Sequence, residues 1–185
     1  MKSIPLLCLV LALLLAGPAA AADNDGGIEF SASVGLGTGF PWEPDDFADD
    51  WDPSFGGMLE VAARKSLVEL SVSFDYNFFL STGLQPDDAN IVTVFGNIKI
   101  KPIASSSVHP YILVGGGYYR YWIVDLDLSE NTLGVQAGAG VEIDIGESQR
   151  IFFDAKEVMG RTRETNNLRE NTYHIPVRIG LTFVF

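Results

Sequence analysis

Residues 172–185 read TYHIPVRIGLTFVF. Every second residue from Tyr173 is apolar: Tyr173, Ile175, Val177, Ile179, Leu181, Phe183 and Phe185. The intervening set is His174, Pro176, Arg178, Gly180, Thr182 and Val184, mostly polar or small. Strict alternation places the two sets on opposite faces of one strand. The strand is long, and an aromatic residue stands at each end of its apolar face. That is what a bilayer-crossing strand presents to lipid, with hydrocarbon against the middle and rings at the two interfaces. Lipid cannot satisfy an open strand edge, so such a strand belongs to a closed barrel.

The preceding chain repeats the pattern. Seven further strands are predicted over residues 28–40, 55–64, 67–80, 91–102, 110–124, 132–145 and 150–162. In the third, Val68, Leu70, Val72, Phe74, Tyr76 and Phe78 separate completely from Glu69, Ser71, Ser73, Asp75 and Asn77. The stretch 41–54 has three prolines and six acids and reads as a loop. Other polar connections are expected at 81–90, 103–109, 125–131 and 163–171, with tight turns at Lys65–Ser66 and 146–149. Each strand reaches the roughly 9–11 residues needed to cross a membrane at a tilt. Short turns alternate with longer polar connections, the usual asymmetry between periplasmic and outer ends. The expected fold is an all-β, eight-stranded antiparallel up-and-down transmembrane β-barrel.

Ahead of the barrel, Lys2 precedes an apolar run from Ile4 to Ala16 and a small-residue stretch from Ala19 to Ala22. This reads as a secretory signal peptide over 1–22, leaving a barrel domain over 23–185. Cys8 is the only cysteine and lies within the signal, so no thiol chemistry or disulfide is expected after cleavage. With 24 acidic and 12 basic residues the net charge is −12, which argues against nucleic acid as a partner.

Alternation alone does not say which face is inside. A secreted lipocalin-like ligand carrier would turn its apolar face inward. Three features favour lipid outside. The polar set is rich in Gly, Ser and Thr, which suit a crowded lumen. Its charges come in both signs, as buried charges must be paired; the expected lumen network is Glu60, Glu69, Asp75, Lys99, Glu142, Asp154, Lys156 and Arg178, with Glu29, Arg64, Lys101 and Asp144 on the same set. Aromatics gather near strand ends, where an interface girdle would lie: Phe30, Tyr76, Phe78, Tyr118, Tyr121, Trp122, Tyr173, Phe183 and Phe185.

The stretches PYILVGGGYYR, VQAGAGVEIDI, IFFDAKEV and IPVRIGLTFVF resemble the small outer-membrane barrels of the OmpA/OmpX type. The resemblance implies insertion in the outer membrane and contact with its lipid and lipopolysaccharide. It implies a terminal signal read by the barrel-assembly machinery, carried here by Leu181, Phe183 and Phe185. The peptidoglycan-binding domain that some members append is not expected. Glu157 departs from the pattern: parity puts it on the lipid face beside Phe153 and Ala155, at either a bulge or an interfacial site.

Little points to chemistry. Some outer-membrane barrels are lipid-modifying enzymes, and their reactions need a His with a Ser or acid in reach. His174 has no serine on its own strand face, and no Gly-x-Ser-x-Gly elbow occurs. It is expected to be a satisfied polar residue of the lumen, with no catalytic residue and no cofactor. Trp42, Asp45, Asp46, Asp49, Asp50 and Trp51 mark the first outer loop as an interaction surface. The loop lacks the spacing of a calcium site, so no metal site is assigned, although its acids are suited to sharing divalent cations with lipopolysaccharide phosphates. A narrow channel remains an alternative, although eight strands enclose a space that side chains can fill. The reading is a structural or surface-interacting membrane barrel without catalysis.

Overall fold

In the computed structural model, which describes residues 27–41, 53–79, 89–102, 107–123, 128–161 and 171–185, the chain forms eight antiparallel strands. They are β1 (Ile28–Pro41), β2 (Ser54–Lys65), β3 (Val68–Phe79), β4 (Ala89–Ile100), β5 (Val108–Ile123), β6 (Leu128–Asp144), β7 (Gln149–Arg161) and β8 (Asn171–Val184). Each pairs with its neighbours in sequence, and β1 pairs with β8, so the sheet closes without an edge. This is the arrangement that satisfies every strand in lipid.

The faces sort as the alternation requires. Val34, Leu36, Leu70, Val72, Ile98, Ile112, Val114, Val177, Ile179 and Leu181 are exposed on the outside. Glu60, Glu69, Ser73, Asp75, Asn97, Lys99, Glu142 and Arg178 are buried inside. The apolar set therefore meets lipid and the polar set fills the lumen, which excludes the lipocalin-like arrangement.

Strand ends fall within two residues of the sequence expectation, β4 for instance at Ala89–Ile100 against 91–102, except at the start of β6. β6 begins at Leu128, and residues 128–131, expected in a loop, pair with β5 through Ile123↔Leu128, Trp122↔Ser129, Tyr121↔Glu130 and Arg120↔Asn131. Likewise β5 begins at Val108 rather than after a turn reaching His109. Both extensions lie at barrel ends, where neither face needs to be apolar and alternation gives no signal. The tight turn is Ser66–Leu67, one residue later than expected. Ser66 takes a φ of 58°, the left-handed conformation that two-residue hairpin turns demand.

Glu157 faces outward and is exposed, as parity required. The bulge does not occur. β7 and β8 pair in one unbroken register on both sides of the site, Ala155↔Val177 and Val158↔His174. Only the two pairs between are missing, and the cause is Pro176. Without an N–H it cannot donate to the carbonyl of Lys156 across the ladder.

Inside, glycines make room for large side chains. A Cβ on Gly160 would stand 2.5 Å from Cε1 of Tyr119, and one on Gly134 would stand 3.0 Å from Cβ of the same tyrosine. A Cβ on Gly35 would stand 2.6 Å from Cζ of Phe152. In so narrow a barrel, bulk on one strand demands its absence on the facing one.

Candidate functional site

Among the described residues, the barrel interior is where most of the charged and polar side chains come together. It divides into three tiers along the barrel.

The first tier lies at the end with the turns 66–67 and 145–148, which is the periplasmic end in barrels of this kind. Lys101 Nζ stands 2.5 Å from Glu69 Oε2 and 2.8 Å from Glu142 Oε1. Lys99 pairs with Glu60 and stands 3.1 Å from Glu69 Oε1. Arg150 grips Glu29 with both Nη atoms, at 2.8 and 3.1 Å, and donates from Nε to Asp144 at 2.9 Å. Its Nη1 also stands 3.5 Å from Glu142 Oε2, which joins the two groups into one chain of charges. Arg64 stands 3.9 Å from Glu29. His109 Nε2 stands 3.1 Å from Asp144 Oδ2. Lys99 and Lys101 lie over the ring of Tyr111, at 5.2 and 5.9 Å from its centroid.

The second tier is mixed. Arg178 and Asp75 form a close ion pair across the lumen, and Thr93 donates to the second oxygen of Asp75 at 3.2 Å. Lys156 Nζ stands 3.7 Å from Asp154 Oδ2, and the Tyr111 hydroxyl donates to that oxygen at 3.3 Å. Asn97 donates to Ser71 and Ser73, and Gln136 donates to Asn97.

The third tier, toward the long connections, is apolar. Phe79, Ala89, Ile91, Phe95, Tyr119 and Val158 form a buried cluster with Tyr121 packed against it. Phe95 and Tyr119 are fully buried. This tier corrects two expectations. Tyr121 points inward and is not part of the girdle. His174 is not satisfied by protein partners: neither ring nitrogen has a hydrogen bond, and the ring packs edge-on against Phe79 at 5.7 Å between centroids. A pocket lined by Pro41, Phe79, Ala89, Ile91, Tyr121, Thr172, Tyr173 and His174 has about 10 Å³ free, the room of one water.

All eight residues expected in the lumen network point inward and are buried. They form two groups and not one. Glu60, Glu69, Lys99 and Glu142 join the first tier, while Asp75, Asp154, Lys156 and Arg178 occupy the second. Arg150, which links much of the first tier, was not singled out from the sequence. Its parity with Phe152 and Asp154 was the available signal. Tyr111 was missed because the neighbouring stretch of β5, residues 112–117, is apolar or small on both faces. Trp42, Asp45, Asp46, Asp49, Asp50 and Trp51 lie outside the described residues, as does the segment 1–22. Leu181 and Phe183 face outward near the end of β8, and Phe185 donates its backbone N–H to Phe30 at 2.9 Å. No group of three or more potential metal ligands occurs among the described residues.

Residues 7–177 match the model of the outer membrane protein β-barrel domain. The chain belongs to this family. An outer-membrane barrel is also what the solved structures of similar fold describe. Neisserial surface protein A aligns with a TM-score of 0.64 at 12% identity, covering 86% of this chain and 98% of that one. OprG of Pseudomonas aeruginosa gives 0.61 at 11% identity, covering 86% and 96%. Ail, the attachment invasion locus protein of Yersinia pestis, gives 0.54 at 15% identity, covering 86% and 99%. No curated protein matches the sequence. Membership of this family places the barrel in the outer membrane.

Proposed function

We propose that this outer-membrane barrel is a structural scaffold that holds its long acidic connections at the cell surface and catalyses no reaction. One observation carries the reading: the lumen is occupied along its length. Ion pairs fill the periplasmic half, and Phe79, Phe95, Tyr119 and Val158 fill the outer half. A filled lumen supports anchorage over transport and leaves the loops as the part that meets other molecules. The buried His174, with no hydrogen-bonded acid or serine among the described residues, weighs against acyl transfer. The loop 41–54, with Trp42, Asp45, Asp46, Asp49, Asp50 and Trp51, is the interaction surface on this reading, and lipopolysaccharide its nearest neighbour.

Purified protein in planar bilayers tests the first half. No current steps are expected across the physiological voltage range, and discrete steps would replace the scaffold with a channel. Incubation with labelled lipopolysaccharide and phospholipid tests the second half. Unaltered acyl chains are expected, and turnover abolished in His174→Ala would establish an enzyme.

A further inference from the structure

Arg120 lies near the outer end of β5 between Tyr119 and Tyr121, which point inward, so its own side chain points out of the barrel and is exposed. Among the described side chains the outward face carries two cations, Lys65 at the periplasmic end and Arg120 at the other. No carboxylate of the described residues pairs with Arg120; its guanidinium lies over the Trp122 ring, 5.4 Å from the centroid.

The surroundings are ordered around it. Tyr118, two residues toward the membrane, is 41% exposed and donates from its hydroxyl to Asn131 Oδ1 at 2.5 Å. Asn131 is the cross-strand partner of Arg120, so their side chains start within about 5.5 Å of each other. Because the Asn131 oxygen accepts from Tyr118, its amide N–H groups remain to donate beside the guanidinium. On the other flank Tyr76 packs on Trp122 at 6.3 Å and donates to Asn90. An arginine set one step beyond exposed tyrosines stands where bilayer headgroups begin. Its planar fork fits a phosphate.

We infer that the outward surface of β4–β6 at Arg120, Asn131 and Trp122 binds a phosphate of a lipopolysaccharide lipid anchor in the outer leaflet. Two features select that ligand over a soluble anion. The site faces lipid and not the lumen. Aromatic rings flank the cation and suit sugar faces. The contact is direct and needs no divalent cation, unlike any held by the acidic loop.

Full-length protein in detergent with a chelator present is mixed with bisphosphorylated lipid A, and the retained lipid is counted by native mass spectrometry. Arg120→Gln is expected to weaken retention by at least about tenfold, the scale of one charge-assisted pair. Arg120→Lys is expected to recover part of it. Folding of each variant is checked by its gel shift on boiling, and the exposed site makes loss of the barrel unexpected. Dephosphorylated lipid A is expected to be retained no better than by Arg120→Gln. Equal retention of the two lipids, or unchanged retention by Arg120→Gln, overturns the inference. So does full displacement by inorganic phosphate, which would point to a soluble anion, or equally tight retention of phosphatidylglycerol, which would point to a generic phospholipid.

Discussion

Tyr119 occupies the space that a side chain at residue 160 would need: a Cβ built on Gly160 would stand 2.5 Å from ring atom Cε1. The tyrosine is fully buried and its hydroxyl accepts from Thr172 at 3.0 Å, so it cannot swing aside freely. Gly160→Ala is therefore expected to lower stability by about 1–3 kcal/mol, the usual cost of overpacking. In a Tyr119→Leu background the same change should cost much less. Urea unfolding in lipid vesicles measures both, and equal costs in the two backgrounds would remove the contact as the cause.

Lys101 neutralises two carboxylates that come from different strands, Glu69 and Glu142. Lys101→Met leaves both with one cation each, Lys99 for Glu69 and Arg150 for Glu142. The expected loss is about 3 kcal/mol, the low end of the range for breaking a buried pair, because neither acid is wholly stranded. Adding Glu69→Gln and Glu142→Gln should return most of that stability. A triple variant no more stable than Lys101→Met would show that packing, not charge, sets the cost.

Pro176 leaves the carbonyl of Lys156 without its ladder donor. Pro176→Val keeps an apolar side chain of similar size at a buried position and supplies the N–H. A gain of about 1 kcal/mol is expected, the net worth of one hydrogen bond. Slow amide exchange at residue 176 would confirm the new bond, and fast exchange would refute it. Glu157, on the lipid face beside this gap, gives an independent test. Glu157→Leu should stabilise by roughly 1 kcal/mol, since lipid-facing acids cost less than basic residues and little near the interface.

The mature barrel is expected to lack cysteine, Cys8 being the only one in the chain, so single introduced thiols report on facing without background. Val72 is 52% exposed on the outside, whereas the adjacent Ser73 is fully buried in the lumen. Val72→Cys should react with a lipid-soluble maleimide and resist a charged one. Ser73→Cys should resist both while the barrel is folded. Labelling of Ser73→Cys by the charged reagent would mean an open lumen.

Facing was legible wherever one face is apolar and the other polar. The clean separation along β3 and β8 settles which residues meet lipid, and even the awkward outward position of Glu157 follows from parity. The outer tier was legible only in part. Parity sets Phe79 beside Asp75 and Asn77 and Phe95 beside Thr93 and Asn97 on the lumen face, but along β5 Tyr121 is of the same type as the girdle residue Tyr118, and only packing distinguishes the two. Where both faces are apolar, alternation carries no information. His174 shows the same limit: its inward direction was readable, but its lack of a hydrogen-bond partner depends on Phe79 and Tyr119 from distant strands.

The sequence by itself determined that this chain forms a closed membrane barrel with a polar lumen, because facing depends on a local two-residue period and closure on the need to satisfy every strand edge in lipid. Only the tertiary structure decided which charges meet. Lys101 and Glu142 are 41 residues apart and Arg150 and Glu29 are 121 apart. Their pairing follows from the stagger that accumulates from strand to strand around the barrel, and that stagger is set by how all eight strands pack at once.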